Sequence, residues 1–244
     1  MTSDTQANQS QALVATRVLS VKEIMVPNAA FIRARSARDA KRVFREYADI
    51  DMLPIPNTGE PTHTIFRDQS SVHKIPRSML ISESTPIIEL AKLFHESHDG
   101  FFVLGGRSIV GLVHFSDLNH PLCKVPYFAI MESLEGLLLE RIPRDEFTLE
   151  GVTALLGRDR ARSIFKRADK LKEMLPSSAA AMYFGDLLLY LSKRGIIVLD
   201  AAETKLLNEF RNRLYHAGRR LIMRPPDKAL IVRAEQLCLR LLAS

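Results

Sequence analysis

Hydrophobic positions along this chain change their rhythm near residue 123. Before it, apolar residues gather in short runs, AAFIRAR, MLPIPN, THTIFR, SMLISES, FFVLGG and SIVGLVHF, the pattern of short strands. Between them ARDAKRVFREYA and PIIELAKLFHES carry apolar residues at helical spacing. They follow Ser36 and Thr85, whose hydroxyls suit a helix N-cap. NTGE and GGRS supply the turns between paired strands. From Lys124 onward the pattern is helical throughout: PYFAIMESLEGLLLERI, LEGVTALLG, RDRARSIFKRADKLKEML, MYFGDLLLYLSKRG, LDAAETKLLNEFRNRLYHAGRRLI, and a last helix from Pro226 to Leu242. Gly195 marks a helix end, and Asp200 with Glu203 three residues on outlines a capping box.

The first half repeats itself. An offset of 49 residues sets Phe31-Ile32 on Leu80-Ile81, Ser36 on Thr85, Met52 to Ile55 on Phe101 to Leu104, Phe66 on Phe115 and Asp68 on Asp117, without a gap. Strand, helix, strand, strand in each copy predicts two βαββ units about a pseudo-twofold axis, with two equivalent clefts. The expected fold class is therefore α+β: a tandem pair over residues 17–122, with copies near 17–75 and 76–122, then an all-α bundle over 123–244. Residues 1–16 read as a disordered tail without the features of a targeting peptide.

Net charge separates the halves further. Residues 1–122 hold 13 Lys and Arg against 13 Asp and Glu, whereas residues 123–244 hold 21 against 15, so the whole excess of +6 lies in the helical half. A basic module suits a polyanionic partner such as nucleic acid, although an excess this modest could serve solubility alone. Cys123 and Cys238 are too few for a disulfide framework or a thiolate metal site, which fits a cytoplasmic protein. No window is long and apolar enough to predict a membrane span. His63, His73, His95, His98 and His120 show no ligand spacing, and no metal site is expected.

Six of the seven histidines precede residue 121, leaving His216 alone in the helical half, within EFRNRLYHAG. On a continuous helix Leu206, Leu207, Phe210, Leu214, Ala217 and Leu221 form a core stripe about 100° wide. Asn212 and His216, four apart, then point about 140° to 180° from its centre, toward solvent, a partner subunit or a ligand. Arg211 and Arg213 flank the stripe and are long enough to swing toward His216. Such a group suits phosphodiester cleavage in RNA. The histidine moves a proton to or from the 2′-hydroxyl or leaving oxygen, and a guanidinium stabilises phosphoryl charge, with no metal required. Glu132 and Glu135 on the first predicted helix are possible acidic partners, or a solvated face.

Two family resemblances follow from these residues. VKEIM and IVGLVHFSDLN make residues 17–122 resemble the tandem CBS-domain pair, or Bateman module. That resemblance implies a cleft for an adenine nucleotide (AMP, ADP or ATP), with Gly111, His114 and Asp117 on the family motif of the second copy and Asp68 on that of the first. His114 stands where the family has Thr or Ser, and Thr62 and Ile65 depart from the motif in the first copy. The alternative is that Asp117 caps its own helix and the pair serves packing and dimerisation. Arg211, Asn212 and His216, in a leucine-rich helix after one ending in Gly, resemble the signature of the HEPN superfamily. Its catalytic members imply a homodimeric, metal-independent endoribonuclease: His216 would transfer protons, Arg211 would hold the phosphate and Asn212 would orient them. Arg213, Arg219 and Arg220 are the further RNA-binding candidates. The competing implication is a non-catalytic nucleotide-sensing or RNA-binding regulator whose bundle dimerises or docks a partner.

Overall fold

The structure, a computed structural model, describes residues 19–243 apart from 49, 57, 70, 144, 217 and 225. The tail expected over 1–16 lies outside the described residues. Those residues form two compact units, 19–126 with 222–228, and 127–221 with 229–243. Among the described residues no helix is long and apolar enough to cross a membrane.

The first unit is mixed α and β. Its elements are β1 (Val26–Pro27), α1 (Ala37–Glu46), β2 (Met52–Ile55), β3 (His63–Phe66), β4 (His73–Lys74), β5 (Leu80–Ser82), α2 (Leu90–Glu96), β6 (Gly100–Gly105) and β7 (Ser108–His114). One sheet runs β1-β7-β6-β5 and the other β2-β3-β4. Each sheet is completed by the segment that leads into the other copy: β1 lies antiparallel to β7, and β4 antiparallel to β3. That reciprocal exchange is the relation a pseudo-twofold produces. The Glu60 carboxylate accepts from the Ile109 N–H at 2.7 Å, joining residues 49 apart, and equivalent positions touch only beside such an axis. Met52, Met79, Phe102 and Ile109 form the buried cluster that both copies share, with Phe31 and its equivalent Leu80 packed against it.

Two expectations fail here for identifiable reasons. AAFIRAR is not a strand: residues 28–30 make a short 3-10 turn, and Phe31 leads on in extended backbone that joins no ladder. In the second copy Leu80, Ile81 and Ser82 pair in parallel with Phe102, Val103 and Leu104. The position equivalent to Val103 is Pro54, which has no N–H to give a parallel ladder. Ser36 does cap α1, accepting from the Asp39 N–H at 3.3 Å. Thr85 caps nothing, because Pro86 opens a 3-10 turn over Ile87–Glu89 before α2 begins.

The second unit is helical, holding most of α3 (Pro121–Glu140), then α4 (Leu149–Leu156), α5 (Arg158–Lys170), α6 (Phe184–Lys193), α7 (Ala201–Tyr215) and most of α8 (Asp227–Ala243). Gly195, at φ 70°, ends α6 as its position predicts, and Asp200 and Glu203 form the capping box that opens α7. Leu207, Phe210 and Leu214 of the stripe are buried, with Phe210 edge-on to Tyr127 at 5.5 Å between centroids. Each side chain of this size contributes about 1.5–3 kcal/mol by leaving water.

The helix carrying the stripe is shorter than its periodicity suggests. It ends at Tyr215, and His216 is its extended C-cap, at φ −94° and ψ 111°. Gly218 follows closely, and the Arg213 guanidinium donates to the Leu221 carbonyl at 2.8 Å, drawing the returning chain back along α7. Leu221 is therefore buried, but from the return and not from the helix.

Candidate functional site

In the repeat module a cleft of about 770 Å³ lies between the copies, with Asp51, Thr64, Asp68, His73, Lys74, His98, Asp99 and His114 among its lining residues. Of the four residues implied by resemblance it holds Asp68 and His114. Asp117 is turned to its own backbone: its carboxylate accepts from the His114 N–H at 2.7 Å and caps the 3-10 helix Phe115–Asn119. Burial pushes the Asp117 carboxyl above its usual range, against that hydrogen bond. Gly111 serves packing, since a Cβ there would fall 2.4 Å from the Met25 sulfur where β1 crosses β7. Residues 222–228 add Lys228, whose ammonium pairs with Asp99.

His114 is the most constrained polar group of this cleft. Its Nδ1 meets the Ser116 hydroxyl at 2.8 Å, and its ring packs 4.4 Å from that of Phe115. Its Nε2 is buried without a hydrogen-bond partner among the described residues, 3.9 Å from an Asp51 carboxylate oxygen. Burial pulls its pKa below the usual 6.5, with Asp117, Asp51 and Asp99 pulling the other way. Arg67 also lines the cleft but is fully engaged. Its guanidinium donates to the carbonyls of Phe44 (2.7 Å), Tyr47 (2.6 Å), Ala48 (3.0 Å) and Ile50 (2.6 Å), closing the C-terminal end of α1.

In the helical unit a second cleft, of about 580 Å³, opens between α5, α6 and α7. Arg211 and Asn212 line it, together with Arg160, Arg167, Asp186, Asn208 and Tyr183. The Arg211 guanidinium stacks over the Tyr215 ring at 4.3 Å and sits 3.7 Å from Glu135, while its Nε has no hydrogen-bond partner among the described residues. Burial pushes Glu135 above the usual carboxylate range, opposed by Arg211. The Tyr215 hydroxyl donates to Glu132, and burial with that bond pushes the phenol up. Glu132 and Glu135 are thus partners of the motif helix and not a plain solvated face. Their signal was the spacing of three, which places both on one side of α3.

The other predicted residues do not converge as a longer helix would have arranged. His216 is exposed beyond the end of α7 and does not line the cleft that holds Arg211 and Asn212. Arg213 bonds Glu209 at 2.6 Å and the Leu221 carbonyl, with its side chain 11% exposed, so it braces the bundle and cannot swing to His216. Arg219 and Arg220 are exposed in the segment after α7. Arg160 and Arg167 were missed, because two residues of α5 approach α7 through tertiary packing that no local spacing records.

Among the described residues no group of three or more His, Cys, Asp and Glu is placed to hold one metal ion. No family model matches the chain, and no curated protein does. Among solved structures, the CBS domain of the bacterial CNNM/CorC family Mg2+ transporter in complex with ATP is similar to this chain at 15% identity and a TM-score of 0.36, covering 46% of this chain and 93% of that one.

Proposed function

We propose that the chain is a nucleotide-responsive RNA-binding protein whose helical unit is a metal-independent endoribonuclease. The observation that carries the reading is the cleft in which Arg211 and Asn212 meet Arg160 and Arg167, with His216 exposed just past the end of the same helix. Three guanidiniums line the cleft, Arg160 paired with Asp186 at 3.3 Å and Arg211 facing Glu135 at 3.7 Å, and the donors those two carboxylates leave over suit phosphate. RNA carries its own nucleophile, so a histidine to move the proton and a guanidinium for the phosphoryl charge complete the chemistry. Because His216 lies outside the cleft of its own chain, the catalytic arrangement draws His216 from a second copy. In the repeat module Lys74 and Asp68 suit the phosphate and ribose hydroxyls of an adenine nucleotide in the cleft between the copies.

The test is cleavage of mixed RNA in EDTA, with and without AMP, ADP or ATP, beside His216→Ala. Cleavage that survives His216→Ala unchanged, or no cleavage with any nucleotide, rejects the nuclease. Calorimetry of the same nucleotides against Asp68→Ala tests the sensor, and equal affinity in variant and wild type rejects Asp68 as a ligand. One observation favours a second reading, a non-catalytic RNA-binding regulator: Arg211 already has Glu135 and the Tyr215 ring as partners. RNA binding without cleavage is its expected result.

A further inference from the structure

Tyr183 has no part in either resemblance, yet it is 64% exposed, unusually open for a large aromatic side chain held so firmly. Met182 before it and Phe184 after it are buried, and its carbonyl accepts from the Leu187 N–H at 2.9 Å at the start of α6. The ring itself is backed by Arg167, whose guanidinium lies 3.7 Å from the ring centroid and is anchored on the Ala181 carbonyl at 2.5 Å. Arg167 thus backs one face of a ring that is otherwise largely open. That ring lines the same cleft as Arg160, Asn208 and Arg211.

We infer that Tyr183 is a base-stacking platform, so that the arginine cleft takes an unpaired nucleotide of a single-stranded RNA with its base on the ring and its phosphates among the arginines. A ring fixed before binding loses little conformational entropy when a base lies on it. Every nucleobase has a π-face, so stacking adds affinity without demanding a sequence, while the arginines track the backbone. A base inside an A-form duplex has both faces occupied by its neighbours and cannot offer one without unstacking. The cleft volume of 580 Å³ lies within the roughly 300–1,000 Å³ usual for small-ligand sites, enough for a nucleotide and too small for a helix. Asn208 reaches into the cleft wall because Gly185 leaves it room: a Cβ there would meet its Oδ1 at 2.9 Å.

This inference rests on the RNA reading of the helical unit, and the experiment separates the two. A short 2′-O-methyl strand, which the 2′-hydroxyl chemistry cannot cleave, is titrated with the full chain alongside an abasic strand of equal length and a duplex. The base-bearing strand carries 2-aminopurine as the fluorescent probe. The expected result is quenching of the probe by wild type, and about a tenfold loss of affinity in Tyr183→Ala for the base-bearing strand alone. Tyr183→Phe retains both affinity and quenching. Equal affinity in Tyr183→Ala, or an equal loss on the abasic strand, overturns the platform and leaves RNA binding standing. No binding of any strand by wild type overturns the RNA reading and the platform with it.

Discussion

The two clefts use arginine in opposite ways. Arg67 lines the cleft of the repeat module, but its donors are bound to four backbone carbonyls at the end of α1, so it is framework. Arg211 lines the cleft of the helical unit with one carboxylate at 3.7 Å, the Tyr215 ring beneath it and a buried Nε without a partner among the described residues, so no row of carbonyls holds it. The same residue type is structural where it closes a helix C-terminus, and on the proposed reading it serves a ligand where no row of carbonyls holds it. Cleft membership alone does not distinguish them. Hydrogen-bond accounting does.

Substituting each arginine is the strongest way to break that comparison. Arg211→Ala is expected to lower RNA cleavage by about 10²–10³-fold, the range for losing one donor to a developing oxyanion, with a smaller shift of the unfolding midpoint than Arg67→Ala gives. Arg67→Ala is expected to leave the helical chemistry intact and to cost about 2–3 kcal/mol of stability in urea titration, because carbonyls that shared one guanidinium lose it together. Arg67→Lys should not restore it, since an ammonium cannot fan out to the same acceptors. A stability loss in Arg211→Ala as large as in Arg67→Ala would erase the distinction.

A smaller effect separates the two acidic residues of the repeat. Asp117→Ala is expected to cost about 1–2 kcal/mol through its lost cap. Asp68→Ala should be close to neutral in stability, because Asp68 is exposed. The pair thereby sorts a capping carboxylate from one open to a ligand.

The smallest expected effect is in pH dependence. His114 is half-buried with its Nε2 out of contact with water and its pKa lowered by that burial, so the folded state resists its protonation. Its contribution is fully present above about 6.5, the unfolded value, and is lost as pH falls through the lower folded value. Asp117 has the opposite sign, because its folded pKa is raised: its contribution is present below the ordinary aspartate range and is lost as pH rises through the folded value. Urea titrations of wild type and His114→Asn, compared between pH 7.5 and 5.5, should show a shallower loss on acidification in the variant. Equal slopes would mean that His114 is not desolvated in the fold.

Much of the fold was legible because repetition and periodicity act locally. The offset of 49 exposed the tandem copies, and stripe residues such as Leu207, Phe210 and Leu214 are buried as their spacing requires. What escaped notice came from contacts distant in sequence. The strand expected at AAFIRAR was lost to Pro54, some twenty residues on, and α7 stopped before His216 where Arg213 holds the returning chain. In the helical cleft, Arg211 and Asn212 are residues that spacing and resemblance together singled out, whereas Arg160, Arg167 and Tyr183 reach the same cleft only through packing of separate helices. The helical-wheel argument for His216 carried the helix too far, and on the proposed reading its exposed C-cap position is completed by a partner copy.

That requirement is open to a direct measurement, in which Arg211→Ala and His216→Ala chains are co-expressed and assayed for RNA cleavage in EDTA. Each variant alone is inactive on this account. In random pairing half of the dimers are mixed, and each mixed dimer has one cleft with Arg211 from one chain and His216 from the other, so about a quarter of wild-type activity should return. Activity no greater than that of the separate variants would contradict a shared cleft.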